Sequence, residues 1–198
     1  MKKFKLIIKS LLLGTVIFFA GAAMVSAATP GYPYKLINGV TNRYYTISTF
    51  SNTYTTSTQQ AVYDWNNSVG SPSTITPIWF IRTTNYSASV VDFYGSYDGK
   101  TRYNGYTEFF TSQAQVSPFK SNWKWSSIHL NQYYMDGYSS SIRKGVAAHE
   151  FGHALGLNDY NANWYSIMCQ MDDGSYSGTG RLVTVPQKTD LDAINIKY

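Results

Sequence analysis

The apolar and polar positions of this chain change period several times, and each change predicts an element. Over 35–49, Tyr44, Thr46 and Ser48 alternate with Tyr45 and Ile47, the period-two pattern of a strand with one buried face. Over 55–69, Ala61, Val62, Trp65 and Val69 fall on one side of a helix, with N-cap residues in Thr55–Ser57 and a stop at Gly70-Ser71-Pro72. The runs 78–83 and 88–94 are short and rich in Ile, Val, Phe and Tyr, and predict two strands followed by an Asp98-Gly99 turn. Two more β-like runs follow at 103–110 and 126–134, the first Gly-containing and read as an edge strand.

From Ser139 to Leu157 the period becomes helical again, with three serines to cap it and Ile142, Val146, Ala147, Phe151, Ala154 and Leu155 on its apolar faces. Residues 158–186 have no period and several turn signals (Asp173-Gly174, Ser177-Gly178, Gly180), which predict a long loop region. Thr189-Asp190-Leu191-Asp192 reads as a capping box opening a short C-terminal helix through Ile194. This order predicts a single α+β domain: one twisted, mixed sheet of about five strands, two long helices and a C-terminal helix.

The first residues differ from the rest. Lys2, Lys3, Lys5 and Lys9 precede an apolar run from Leu11 to Phe19 and a small-residue site at Val25-Ser26-Ala27, the layout of a signal peptide over residues 1–27 cleaved after Ala27. A membrane anchor is the alternative, but the run is short and no second span follows, so no stable membrane insertion is expected after cleavage. The expected mature domain is 28–198, secreted and extracellular. Of 16 Lys and Arg, the leader holds four and no acids, so the net charge of +5 falls to about +1 (5 − 4). The chain therefore lacks the clustered basic face that nucleic-acid binding requires. One cysteine, Cys169, makes no internal disulfide.

The chemistry is concentrated in His149–Asp159. His149 and His153 are four apart, so on a helix both imidazoles lie on one face and can reach one metal ion. Glu150 then points to the rim of the same site, where it can take a proton from a metal-activated water without ligating the metal. Catalytic zinc needs a third protein ligand. Gly156 is placed to end the helix in a left-handed turn, which brings Asp159 up as that ligand. The plainer alternative is a helix carrying two surface histidines and an ordinary glycine cap.

His149-Glu-Phe-Gly-His153-Ala-Leu-Gly156-Leu-Asn-Asp159, followed by Ser166-Ile-Met168, resembles the metzincin clan of zinc endopeptidases. With Trp65, Ile128-His-Leu130 and Asp190-Leu-Asp-Ala-Ile194, the chain is similar to a matrixin-type catalytic domain over most of 35–198. Asp159, where most metzincins have a third histidine, resembles the snapalysin family of small secreted neutral proteases. The resemblance implies a single metzincin-like domain with one catalytic Zn2+, and a tight turn placing Met168 under the metal (the Met-turn).

The chain also departs from that pattern. His129 aligns with a ligand of the matrixins' second, structural zinc, but with only three histidines it lacks partners, so no second Zn2+ is expected. It reads instead as a packed or hydrogen-bonded strand residue. Asn131 and Gln132 stand where acidic calcium ligands are common, so structural Ca2+ is not expected either. Cys169 is misplaced for a silencing cysteine and reads as a small buried hydrophobe.

The expected activity is that of a secreted, monomeric zinc metalloendopeptidase acting on protein or peptide substrates. Glu150 would be its general base, and the edge strand Gly105–Phe110 would pair with an extended substrate. The competing expectation is a secreted wall- or surface-binding module with a non-catalytic zinc site, for which the tyrosine-rich composition is the argument.

Overall fold

The computed structural model describes residues 28–48, 52–101, 103–112, 114–170 and 183–198. The expected signal peptide and positions 171–182 of the expected loop region lie outside these residues. The fold is α+β, built on a six-stranded mixed sheet and four helices. In chain order the elements are β1 (Arg43–Ile47), α1 (Asn52–Asn66), β2 (Phe80–Arg82), β3 (Val91–Ser96), β4 (Gly105–Phe110), β5 (Gln115–Val116), β6 (Trp125–Asn131), α2 (Gln132–Met135), α3 (Ser140–Ala154) and α4 (Lys188–Lys197). The strands are ordered β2-β1-β3-β6-β4-β5, with the first four parallel and β4 antiparallel to both β6 and β5.

Several elements differ from what the sequence predicts, each for a local reason. The first strand begins at Arg43 rather than 35, because Asn38, Gly39 and Asn42 all take positive φ (65°, 73° and 54°) and turn the chain. α1 keeps its predicted length but lies three residues earlier, from Asn52 to Asn66, so Thr55–Ser57 fall inside the helix and do not cap it; Ser68 then turns left-handed at φ 50°, and Val69, expected on the buried face, is exposed. The run 126–134 splits at Asn131, whose Oδ1 accepts from the Tyr133 amide at 3.2 Å and caps the one-turn helix α2. The two-residue β5 was not predicted at all, and it moves β4 one place in from the sheet edge. The capping box of α4 is Gln187–Asp190, not Thr189–Asp192: the Gln187 amide donates to Asp190 Oδ2 at 2.8 Å.

α3 begins where expected, with the Ser139 hydroxyl accepting from the Ile142 amide. It packs beside α1 and across β4 and β6. Phe151 meets Phe80 and Phe93 edge to face or tilted, and Trp65 donates its indole N–H to Ala148 O at 2.9 Å. A largely buried ion pair, Lys144 to Asp64 at 2.7 Å, joins the two helices further along. Gly145 to Ala154 are all buried, so α3 carries its polar side chains His149, Glu150 and His153 into the interior. Buried polar groups require partners, and those partners define the site.

Candidate metal centre

α3 stops at Ala154, and Gly156 takes φ +98°, the left-handed conformation that reverses the chain below the helix. A side chain there would also meet Lys197: a Cβ would lie 2.3 Å from its Cε. The reversal brings Asp159 under the two imidazoles, with Oδ1 3.3 Å from His149 Nε2 and 3.4 Å from His153 Nε2. All three donor atoms lie within 4.8 Å of one another, the one such group of three or more among the described residues.

These distances suit a metal. Ligands about 2.0–2.1 Å from a tetrahedral zinc are separated by about 3.3–3.4 Å. Asp159 Oδ1 is also buried with no hydrogen-bond partner, a costly state that a bound cation would relieve. The donor set of two imidazoles and one carboxylate fits zinc and leaves a tetrahedral position open.

Each imidazole is turned so that Nε2 faces Asp159. His149 Nδ1 lies 2.9 Å from Ile167 O, and His153 Nδ1 lies 2.9 Å from Leu157 O. A carbonyl can only accept, so Nδ1 carries the hydrogen and Nε2 presents its lone pair to the site. Burial raises the pKa of Asp159, but the two imidazoles, when protonated, outweigh it and hold the carboxyl well below the usual range, the charge role that a cation at the site would take over. Burial lowers His153, yet the Asp159 carboxylate, the Glu150 charge and the Leu157 carbonyl raise it above an ordinary histidine.

Glu150 is buried beside the triad. Its Oε2 accepts the Thr107 hydroxyl at 2.9 Å, and the same hydroxyl lies 3.0 Å from Glu150 O. Gly105 makes room for it, since a Cβ there would stand 3.0 Å from Glu150 Cγ and 3.0 Å from His129 O. The carboxylate is therefore held from β4 while the histidines are held from the loops after α3.

Below α3 the chain closes a loop with the Tyr160 amide on Met168 O at 2.8 Å, and Ser166–Cys169 form a tight turn. That turn packs fully buried Met168 against Gly152, where a Cβ would come within 2.4 Å of Sδ. Asp190 of α4 anchors it. Its carboxylate accepts from Ser166 Oγ at 2.5 Å, Ile167 N at 3.0 Å, Thr29 Oγ1 at 2.6 Å and Gln187 N at 2.8 Å. Burial pushes the Asp190 carboxyl up, and these donors offset part of that. Cys169, next in the turn, is buried.

His129 is not one of the clustered donors. It stacks between Tyr94 and Tyr106 (ring centroids 5.4 and 4.6 Å), with Ser127 Oγ at 3.1 Å and Glu108 Oε2 at 3.4 Å from Nε2. Asn131 ties the nearby turn together, its Nδ2 donating among Gly99 O, Thr101 Oγ1 and Tyr103 O at 3.1–3.2 Å. Of the residues holding the site, sequence reasoning missed Thr107, Tyr32 and the anchoring role of Asp190. Nothing local marks the first two, and the sequence marks Asp190 only as a capping-box residue within the matrixin-like stretch Asp190–Ile194.

No family model matches the chain, and no curated protein does. Among solved structures, one match is a chain of the GM1-bound form of the ECX AB5 holotoxin, at 16% identity over 86% of each chain with a TM-score of 0.49, a likeness too slight to assign a family or a function.

Proposed function

We propose that the protein is a secreted, single-domain zinc endopeptidase of metzincin type, with His149, His153 and Asp159 as metal ligands, Glu150 as general base and Met168 in a Met-turn. One observation carries the reading. An orphaned Asp159 oxygen stands at tetrahedral-edge distance from each of two Nε2 atoms, and Glu150, next to His149 in the chain, keeps a buried carboxylate outside that donor group.

Bound zinc would bring the pKa of a coordinated water toward about 7 and polarise the scissile carbonyl. The rest falls to the chain's own residues. Glu150 accepts the proton released as the nucleophile attacks and passes it to the departing amine. Thr107 holds that carboxylate through Oε2, leaving Oε1 as the atom that exchanges protons. The outer edge of β4 over Gly105–Glu108 is unpaired among the described residues, and an extended peptide aligned there would lie alongside Glu150. No covalent intermediate is required.

The test is digestion of casein by the mature chain, with metal content measured on the same sample. Cleavage that requires one zinc per chain and stops on chelation supports the reading. Zinc binding without cleavage would favour the surface-binding module instead.

A further inference from the structure

A single four-residue segment, Thr29–Tyr32, touches the support of all three ligands. At one end the Thr29 hydroxyl donates to Asp190, the carboxylate that anchors the turn accepting from His149. In its middle, Gly31 bridges Leu157, and the Asn158 amide donates to Pro30 O at 2.8 Å, just before Asp159. At the other end Tyr32 Oη lies 3.0 Å from His153 Nδ1.

We propose that Tyr32 is a positioning residue for His153 and sets how tightly the centre holds its metal, an inference that rests on the zinc-site reading above. Because the Leu157 carbonyl fixes the hydrogen on His153 Nδ1, the Tyr32 oxygen is a second acceptor for that hydrogen. Two acceptors behind one N–H make the opposite ring nitrogen a better donor and fix the ring's plane.

Tyr32 is itself held firmly. Its ring meets Phe109, Phe119 and Trp123 edge to face at 5.7, 5.0 and 6.4 Å and lies tilted 31° against the His153 imidazole. The Tyr32 amide donates to Gly156 O at 2.9 Å, and Lys197 Nζ donates to Tyr32 O at 2.6 Å. So many constraints on one hydroxyl mean its distance from His153 is imposed by packing.

Tyr32→Phe removes the oxygen and keeps the ring contacts. The experiment measures zinc affinity by competition with a chromogenic chelator, and the absorption spectrum of the cobalt(II)-loaded protein. The variant should bind zinc about tenfold or more weakly, within the range for such outer partners, and its cobalt bands should shift while thermal unfolding of the zinc-free protein changes little. Equal affinity and an unchanged cobalt spectrum would overturn the inference while leaving the metal site intact. A wild-type chain that binds no zinc would overturn this inference and the proposed function together.

If Tyr32→Phe does not fold, Phe119→Leu loosens the ring without touching His153, and zinc affinity equal to wild type there would also count against the inference.

Discussion

Thr107 gives its hydroxyl to Glu150 at two points, Oε2 at 2.9 Å and the backbone carbonyl at 3.0 Å, so strand β4 fixes the rotamer of the buried carboxylate that follows His149 in the chain. Thr107→Val keeps the shape and removes both contacts. Turnover should fall about tenfold, the value of one hydrogen bond to a charged group, with zinc content unchanged. Glu150→Gln should fall further, by about 10²–10⁴, again with zinc retained. Steady-state kinetics with metal analysis on each variant checks both, and unimpaired proteolysis by Glu150→Gln would remove Glu150 from the mechanism.

Asp159→Ala should uncouple zinc from stability. With zinc at about a thousand times its dissociation constant, the wild-type chain should gain about 4 kcal/mol. The variant should gain less than half of that, because two imidazoles alone hold zinc weakly. Thermal unfolding with and without added zinc decides it, and an equal rise in both proteins would mean that Asp159 is not a ligand.

Asp190→Ala removes the common acceptor of Thr29, Ser166, Ile167 and Gln187 and strands their donors in the interior. A loss of about 3–5 kcal/mol is expected. Denaturant unfolding measures it. A loss under about 1 kcal/mol would show that the turn around Met168 stands without α4.

Gly152→Ala places a methyl group against Met168 Sδ and within 3.2 Å of the Trp65 ring. Alanine's better helix propensity, about 1 kcal/mol, is opposed by overpacking of about 1–3 kcal/mol. Net destabilisation is expected, and Met168→Ala in the same background should recover part of it. A double-mutant cycle with no coupling would show that the two residues do not press on each other.

Alkaline pH should weaken the fold. Burial raises the phenols of Tyr45, Tyr54 and Tyr198, with the Asp136 carboxylate adding to Tyr54, so they stay protonated in the folded chain where an unfolded one ionises near pH ~10. The folded state then binds more protons, and stability falls as pH rises past about 10. Lys197 acts in the opposite sense: burial lowers it to about 8, so between there and its unfolded value near ~10.4 it adds a small gain with pH. Urea midpoints from pH 7 to 11.5, with tyrosinate absorbance, should show a shallow rise and then a drop. A midpoint still rising at pH 11 would refute the assignment.

The clustering of His149, His153 and Asp159 could be read from the chain because its geometry is local: four residues on a helix and one glycine turn bring them together. The groups that hold them are not local. Tyr32 lies 121 residues before His153, and Thr29 161 before Asp190, so no periodicity connects them. Strand edges were blurred where a single side chain decided them, as with the Asn131 cap that ends β6, and β5 is too short to leave a pattern. Val69 shows the same limit, since its helical spacing continues past the point where Ser68 turns the backbone.

Because β5 pairs only with Phe109 and Phe110, the border of β4 left unpaired among the described residues runs from Gly105 to Glu108, about 13 Å of backbone. A guest chain would find a landing only four residues long. That is too little for another copy of this protein to extend the sheet into a polymer, yet enough to fix the direction and register of a short peptide. Under the proposed activity, so short a border would favour substrates that bring a flexible or unfolded stretch over compact surfaces, and selectivity among proteins would be set first by which of them expose a loose strand.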